Sequence, residues 1–115
     1  MTRQLAGAFA LAVLATACTM SPAPDARLYA ALDDADARSA AATVQRALET
    51  APDGETRNWR NPTSGHGGSI RPVATYVSEA GQFCRRYDET LLLGSEQGSW
   101  RHDACRDADG YWVWQ

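Results

Sequence analysis

Phe83-Cys84-Arg85-Arg86-Tyr87-Asp88-Glu89-Thr90-Leu91-Leu92-Leu93, then Gly94-Ser95-Glu96-Gln97-Gly98, then Ser99-Trp100-Arg101-His102-Asp103-Ala104-Cys105-Arg106, is the stretch that decides the fold of this 115-residue chain. The runs Gln82 to Leu93 and Ser99 to Arg106 read as two strands with a glycine-bearing connection between them. If Gly94-Ser95 is the two-residue turn, counting back along both arms sets Cys84 across from Cys105. The same register sets Arg86 opposite Asp103 and Asp88 opposite Arg101, two favourable charge pairs that the register was not chosen to give. A bridge between the cysteines would contribute about 3 kcal/mol in the chain-entropy account, a large part of a small domain's stability.

Outward from this hairpin, further strand candidates are Thr56 to Arg60, Ser69 to Val77 and Tyr111 to Trp114. They are set off by Asn61-Pro62-Thr63-Ser64-Gly65-His66-Gly67-Gly68, by Glu79-Ala80-Gly81 and by Ala108-Asp109-Gly110. Connections this short favour an antiparallel meander. Asp109-Gly110 reads as a two-residue turn before the last strand, because both residue types tolerate positive φ. That turn puts Trp112 and Trp114 on the face of Cys105, while Phe83, Tyr87, Leu91 and Trp100 lie on the other. Both faces then carry large apolar groups. Either a helix covers one face and the sheet curls over the other, or the Gly94 to Gly98 connection is longer and the register slips.

Before the strands comes an alanine-rich stretch from about Asp34 to Ala51, preceded by a shorter helical turn at Ala26 to Leu32. Asp33 or Asp34 can cap it, Asp36 suits the positive end of its dipole, and Pro52-Asp53-Gly54 stops it. Val44 and Leu48, with Ala37, Ala40, Ala41 and Ala47, give it one face that packs closely on a sheet. The expected fold is α+β: one alanine-rich N-terminal helix packed on a four- to five-stranded antiparallel meander sheet.

The N-terminus has a different character. Arg3 precedes an apolar run from Leu5 to Ala17 that is too short to cross a hydrocarbon core, and Leu14-Ala15-Thr16-Ala17-Cys18 places small residues where a lipoprotein signal peptidase cuts. Residues 1–17 read as a removed signal peptide and Cys18 as the lipidated residue, so the three cysteines divide into one anchor and the pair Cys84 and Cys105. The competing reading is an ordinary cut after Ala17 that releases a soluble form. Residues 18–25 form the lipidated end and a proline-containing tether, and 26–115 form one domain. Thr19, rather than Asp, after the cysteine points by analogy with bacterial lipoprotein sorting to the outer membrane, on its periplasmic or surface face.

All 11 basic side chains are arginine, against 14 acidic ones, a net charge of −3 with no basic stripe. That balance argues against a nucleic-acid partner. The membrane is met through the lipid alone.

Read in order, Ala47-Leu48-Glu49, Trp59-Arg60-Asn61-Pro62, Ser64-Gly65, Pro72 and Tyr76, Gly81-Gln82-Phe83-Cys84-Arg85-Arg86-Tyr87, Ala104-Cys105-Arg106, Asp109-Gly110 and Trp112 resemble the C-terminal domain of the 17 kDa outer-membrane surface antigen family of bacterial lipoproteins. The resemblance covers about two thirds of the chain after the signal. It implies a small outer-membrane or surface lipoprotein with no established enzymatic activity. Many members carry a glycine-zipper segment between anchor and domain. Here that space holds the tether and the alanine-rich helix, so membrane insertion and zipper-driven assembly are not carried over.

Sites with chemistry are sparse. Ser64-Gly65-His66-Gly67-Gly68 lacks the lysine and the following helix of a phosphate loop, and reads as a flexible hairpin loop. His66 and His102 make no recognisable metal set, and Asp107-Ala108-Asp109-Gly110 lacks the first and last ligands of a calcium loop. No nucleophile motif accompanies them, so no catalytic residue, cofactor or metal is expected. Arg85, Arg86, Arg101 and Arg106 read as solvated or paired across strands, with an anion-facing patch as the alternative. Trp59, His66, Trp100 and Trp112 are the candidate binding-surface residues, although core packing competes for each tryptophan. The expected function is a non-enzymatic envelope-structural or interaction role. The alternative is a binding module, such as a lysozyme-type inhibitor using Asn61 to Gly68, or a glycan binder. Its partners would be envelope proteins or glycans.

Overall fold

Asp33 starts the longer helix by a reciprocal cap: its carboxylate accepts from the Asp36 N–H at 2.7 Å, and the Asp36 carboxylate accepts from the Asp33 N–H at 3.2 Å. The computed structural model describes residues 24–115 and, before them, only Gly7, Ala10 and Ala12. Apart from those three residues, the expected export signal, with Cys18 and most of the tether, lies outside the described residues. The elements are α1 (Pro24–Ala30), α2 (Asp34–Thr50), β1 (Arg57–Arg60), β2 (Gly67–Val77), β3 (Phe83–Leu93), β4 (Glu96–Arg106) and β5 (Trp112–Trp114). The strands form one sheet in the order β1-β2-β3-β4-β5, every pair antiparallel. This is the α+β meander expected from the sequence. No helix among the described residues is long and apolar enough to cross a membrane.

The β3–β4 register is the one counted from Gly94-Ser95. Cys84 faces Cys105, Arg86 faces Asp103, and Asp88 faces Arg101. Gly94 takes a φ of 64°, the left-handed value that the first position of a two-residue turn requires. Cys84 and Cys105 are bonded, with their Cα atoms 4.0 Å apart.

The final hairpin departs from expectation. Its loop holds three residues, Ala108-Asp109-Gly110, with the Asp107 N–H donating to the Tyr111 carbonyl at 2.8 Å. The Asp107 carboxylate accepts from the Asp109 and Tyr111 N–H groups, each at 2.9 Å, and Gly110 closes the loop at φ 86°. One extra loop residue shifts the register by one, so Trp112 pairs with Arg106 and Trp114 with Ala104. Both tryptophans therefore lie on the face of Tyr87, Leu91 and Trp100, not with Cys105. The two-faced apolar sheet implied by the two-residue turn is corrected by this loop, with no slip at Gly94 to Gly98.

α2 covers that one apolar face. Val44, Ala47, Leu48 and Ala51 pack on Ile70, Tyr87 and Ala104, with Trp112 at the margin. A second cluster joins Leu28 of α1 and Ala40 of α2 to Trp59, Leu91 and Leu93, flanked by Tyr29, Leu32 and Trp100. Pro72 sits inside β2 without disrupting it. Its carbonyl accepts from the Gly54 N–H, so its missing donor lies on the β1 side, past the end of that short strand. A bulge follows at once, between Pro72 and Ala74.

Arg85 completes the far end of α2. It is 7% exposed, and its guanidinium donates to the Leu48 carbonyl at 2.8 Å and to the Asp53 carboxylate at 2.8 Å. The last turn of α2 has no basic residue of its own, so β3 supplies the cation that the helix C-terminus favours. The solvated or cross-strand role expected for Arg85 is thereby corrected: it is buried against the helix end.

Candidate functional site

Asp36, at the third position of α2, has no solvent exposure, and four donors converge on it. Asn61 Nδ2 donates to its Oδ1 at 2.8 Å and Ser64 Oγ to the same oxygen at 2.7 Å, while His66 Nδ1 meets Oδ2 at 2.7 Å. The Asp33 N–H is the fourth. Burial alone would push this carboxyl up. The bonds from Ser64, His66, Asn61 and Asp33 outweigh it and hold the group far below the ordinary carboxylate range. Because an ionised carboxylate only accepts, the proton of the His66 contact sits on Nδ1.

The loop between β1 and β2 is therefore fastened, not flexible as expected. Its backbone adds the Asn61 N–H to the His66 carbonyl at 2.9 Å and the Gly65 N–H to the Asn61 carbonyl at 2.8 Å. Ser, His and Asp do come together here. Yet the Ser64 hydroxyl gives its proton to Asp36 and not to imidazole, so the geometry does not activate a nucleophile. The one property the cluster leaves open is His66 Nε2, at the edge of a cavity of about 260 Å³ that Trp59 and Leu92 also line.

His102 does a related job on the other side of the sheet's apolar face. Its Nε2 lies 3.2 Å from the Tyr29 hydroxyl and 3.3 Å from Glu89, a carboxylate only 1% exposed. Its ring stacks on Trp114 with centroids 4.8 Å apart. These contacts fasten α1 to β4. Tyr87, also fully buried, accepts from Trp114 Nε1, and burial pushes its phenol up to about 12.

The four candidate binding residues do not form one surface. Trp59 belongs to the core. Trp100 is half-buried against the Leu28 cluster, and His66 is held in the loop. Trp112 is fixed from two sides by α2: Gln45 Nε2 donates to its carbonyl at 2.7 Å, its N–H donates to Gln45 Oε1 at 2.9 Å, and its indole donates to Glu49 at 3.0 Å. Nor do the four arginines form a patch. Arg86 is bidentate to Asp103 at 2.9 and 3.3 Å, Arg101 to Asp88 at 2.8 and 3.2 Å, and Arg106 pairs with Glu49. Among the described residues no group of three His, Cys, Asp or Glu could hold a metal ion.

The face of the sheet away from α2 is uncovered and mostly polar, with Leu92 and Val113 exposed on it. The register brings Ser69, Thr90 and Ser99 into one row across β2, β3 and β4, and Arg71, Asp88 and Arg101 into the next. A groove of about 450 Å³ opens over these rows. Arg71 is the residue that sequence reasoning missed, because its neighbour across the sheet, Asp88, looked like one half of a simple pair with Arg101.

Comparison with known proteins gives the same domain. The family model described as 17 kDa outer membrane surface antigen matches residues 46–113. The "17 kDa surface antigen" of Rickettsia japonica is 46% identical over 83 residues, 72% of this chain and 52% of that protein. The proteins of the same name from Rickettsia prowazekii and Rickettsia bellii are 45% and 41% identical, covering 70% and 75% of this chain. The chain spans about half the length of these relatives. No solved structure matches. The matched stretch contains the last turn of α2, the disulfide hairpin, the fastened Asn61–His66 loop and most of β5, and on that footing the chain belongs to the family of 17 kDa outer membrane surface antigens.

Proposed function

We propose that this protein is an outer-membrane lipoprotein, anchored through lipid on Cys18, with a non-enzymatic interaction role at the envelope. The observation that carries the reading is the run from Leu5 to Ala17 ending in Leu14-Ala15-Thr16-Ala17-Cys18, ahead of a surface-antigen domain. Two points support the non-enzymatic part: Ser64 is bonded away from His66, and the matched relatives are named as antigens. The open, mostly polar face of the sheet supports the interaction part, since the helix leaves it free for a partner. An inhibitor that inserts Asn61 to Gly68 into a partner's cleft is less favoured, because Asp36 holds that loop against the domain.

Cys18→Ala is expected to abolish incorporation of labelled palmitate and to move the protein out of the membrane fraction. Unchanged labelling and fractionation would rule the anchor out.

A further inference from the structure

The uncovered sheet face carries an excess of positive charge, opposite in sign to the rest of the chain. By register it presents Arg60, Arg71, Arg86 and Arg101 with only Asp88 and Asp103 among them. Both carboxylates are already engaged, by Arg101 and Arg86 respectively. Arg60 and Arg71 form no ion-pair contact among the described residues, although Arg71 stands across from Asp88 and helps to keep its carboxyl low, so a face of a protein with net charge −3 is left with more guanidinium than carboxylate groups.

Arg71 stands at a built-up place. The groove of about 450 Å³ is lined by Thr56, Ser69, Arg71, Asp88, Thr90 and Ser99, with Trp100 also bordering it. Thr90 and Ser99 are bonded to each other at 2.8 Å, and Asp88 is held in place by two bonds from Arg101. The hydrogen bond from Arg101 comes first among the influences that keep the Asp88 carboxyl below its ordinary range, so it offers acceptor oxygens at neutral pH. The lining thus supplies one guanidinium not bonded to any carboxylate, one fixed carboxylate and four hydroxyls, in a volume within the usual range for small-ligand sites.

That set selects a ligand. A guanidinium prefers a planar oxyanion that it can grip with two N–H groups. The carboxylate accepts from a hydroxylated ligand and disfavours a polyanion, and the serine and threonine hydroxyls serve as donors or acceptors. We infer that this groove binds an acidic saccharide, with Arg71 on the carboxylate of a uronic-acid residue and Asp88 on a neighbouring sugar hydroxyl. This deepens the interaction role proposed above by naming its ligand class, and it holds whether or not Cys18 carries lipid.

The test is calorimetric titration of the purified full chain with a defined oligosaccharide that carries a single galacturonic-acid residue among neutral galactose units, beside the neutral galacto-oligosaccharide of the same length. Saturable binding of the acidic sugar is expected, weakened about tenfold or more by Arg71→Gln and by Asp88→Asn. Arg86→Gln, which removes the same charge outside the groove, is expected to retain binding. Equal loss in Arg86→Gln would reduce the effect to general electrostatics and overturn the site. Equal affinity for the neutral sugar overturns the acidic class while leaving an interaction role standing. Absence of binding to either sugar overturns the site altogether, and circular dichroism of each variant keeps a folding defect from being read as lost binding.

Discussion

Asp36 keeps a full negative charge at zero exposure because every lone pair direction it offers is met by a donor from a fixed group. Asp36→Asn would set an amide N–H₂ against donors and leave at least one of them without an acceptor. A loss of about 2–4 kcal/mol is expected at neutral pH, read as a lower urea midpoint. The pH dependence has a definite sign. The folded group titrates below its unfolded value of about 4, so its contribution is complete above that value and is lost as the pH falls towards the folded one. The gap between wild type and variant should therefore narrow from about pH 4 downward, and an equal gap at pH 7 and pH 3 would show that the charge is not what matters. None of this cluster was visible as a unit in the sequence. Asp36 was legible as a helix-start residue, but its partners lie 25 to 30 positions away, and nothing local says that Asn61, Ser64 and His66 turn inward.

The two hairpins around β4 show what is legible in a strand and what is not. For β3–β4, the turn glycine, the cysteines and two charge pairs all agree on one register, and a slip of one residue would have broken all of them together. For β4–β5 the turn dipeptide was the only local guide, and it misled: the Asp107 side chain collects two backbone N–H groups and stabilises a loop one residue longer. That single residue decides which face carries Trp112 and Trp114. A side chain of α2 then secures the short edge strand, because the Gln45 amide takes both the N–H and the carbonyl of Trp112, much as a neighbouring strand would. Gln45→Ala is expected to cost about 1 kcal/mol overall. Its clearer effect should be faster amide hydrogen exchange at Val113 and Gln115, with the β3–β4 amides unchanged. Equal protection of β5 in variant and wild type would show that Gln45 does not hold the edge.

At the scale of the whole molecule, two helices cover one face of a five-stranded sheet and a disulfide ties β3 to β4 on the other. Cys84 and Cys105 are 0% and 4% exposed although they sit on the uncovered side, so the bridge is shielded from reductants by the fold itself. The pairing was legible from the β3–β4 register and from the lipid-anchor role proposed for Cys18, which sets the third cysteine apart. The most direct measurement of that proposed role is mass spectrometry of the N-terminal peptide of the protein extracted from membranes. Lipidation at Cys18 is expected to give a peptide that begins at Cys18 and carries the added mass of a diacylglyceryl group. An unmodified Cys18, or a chain that still begins at Met1, would contradict it.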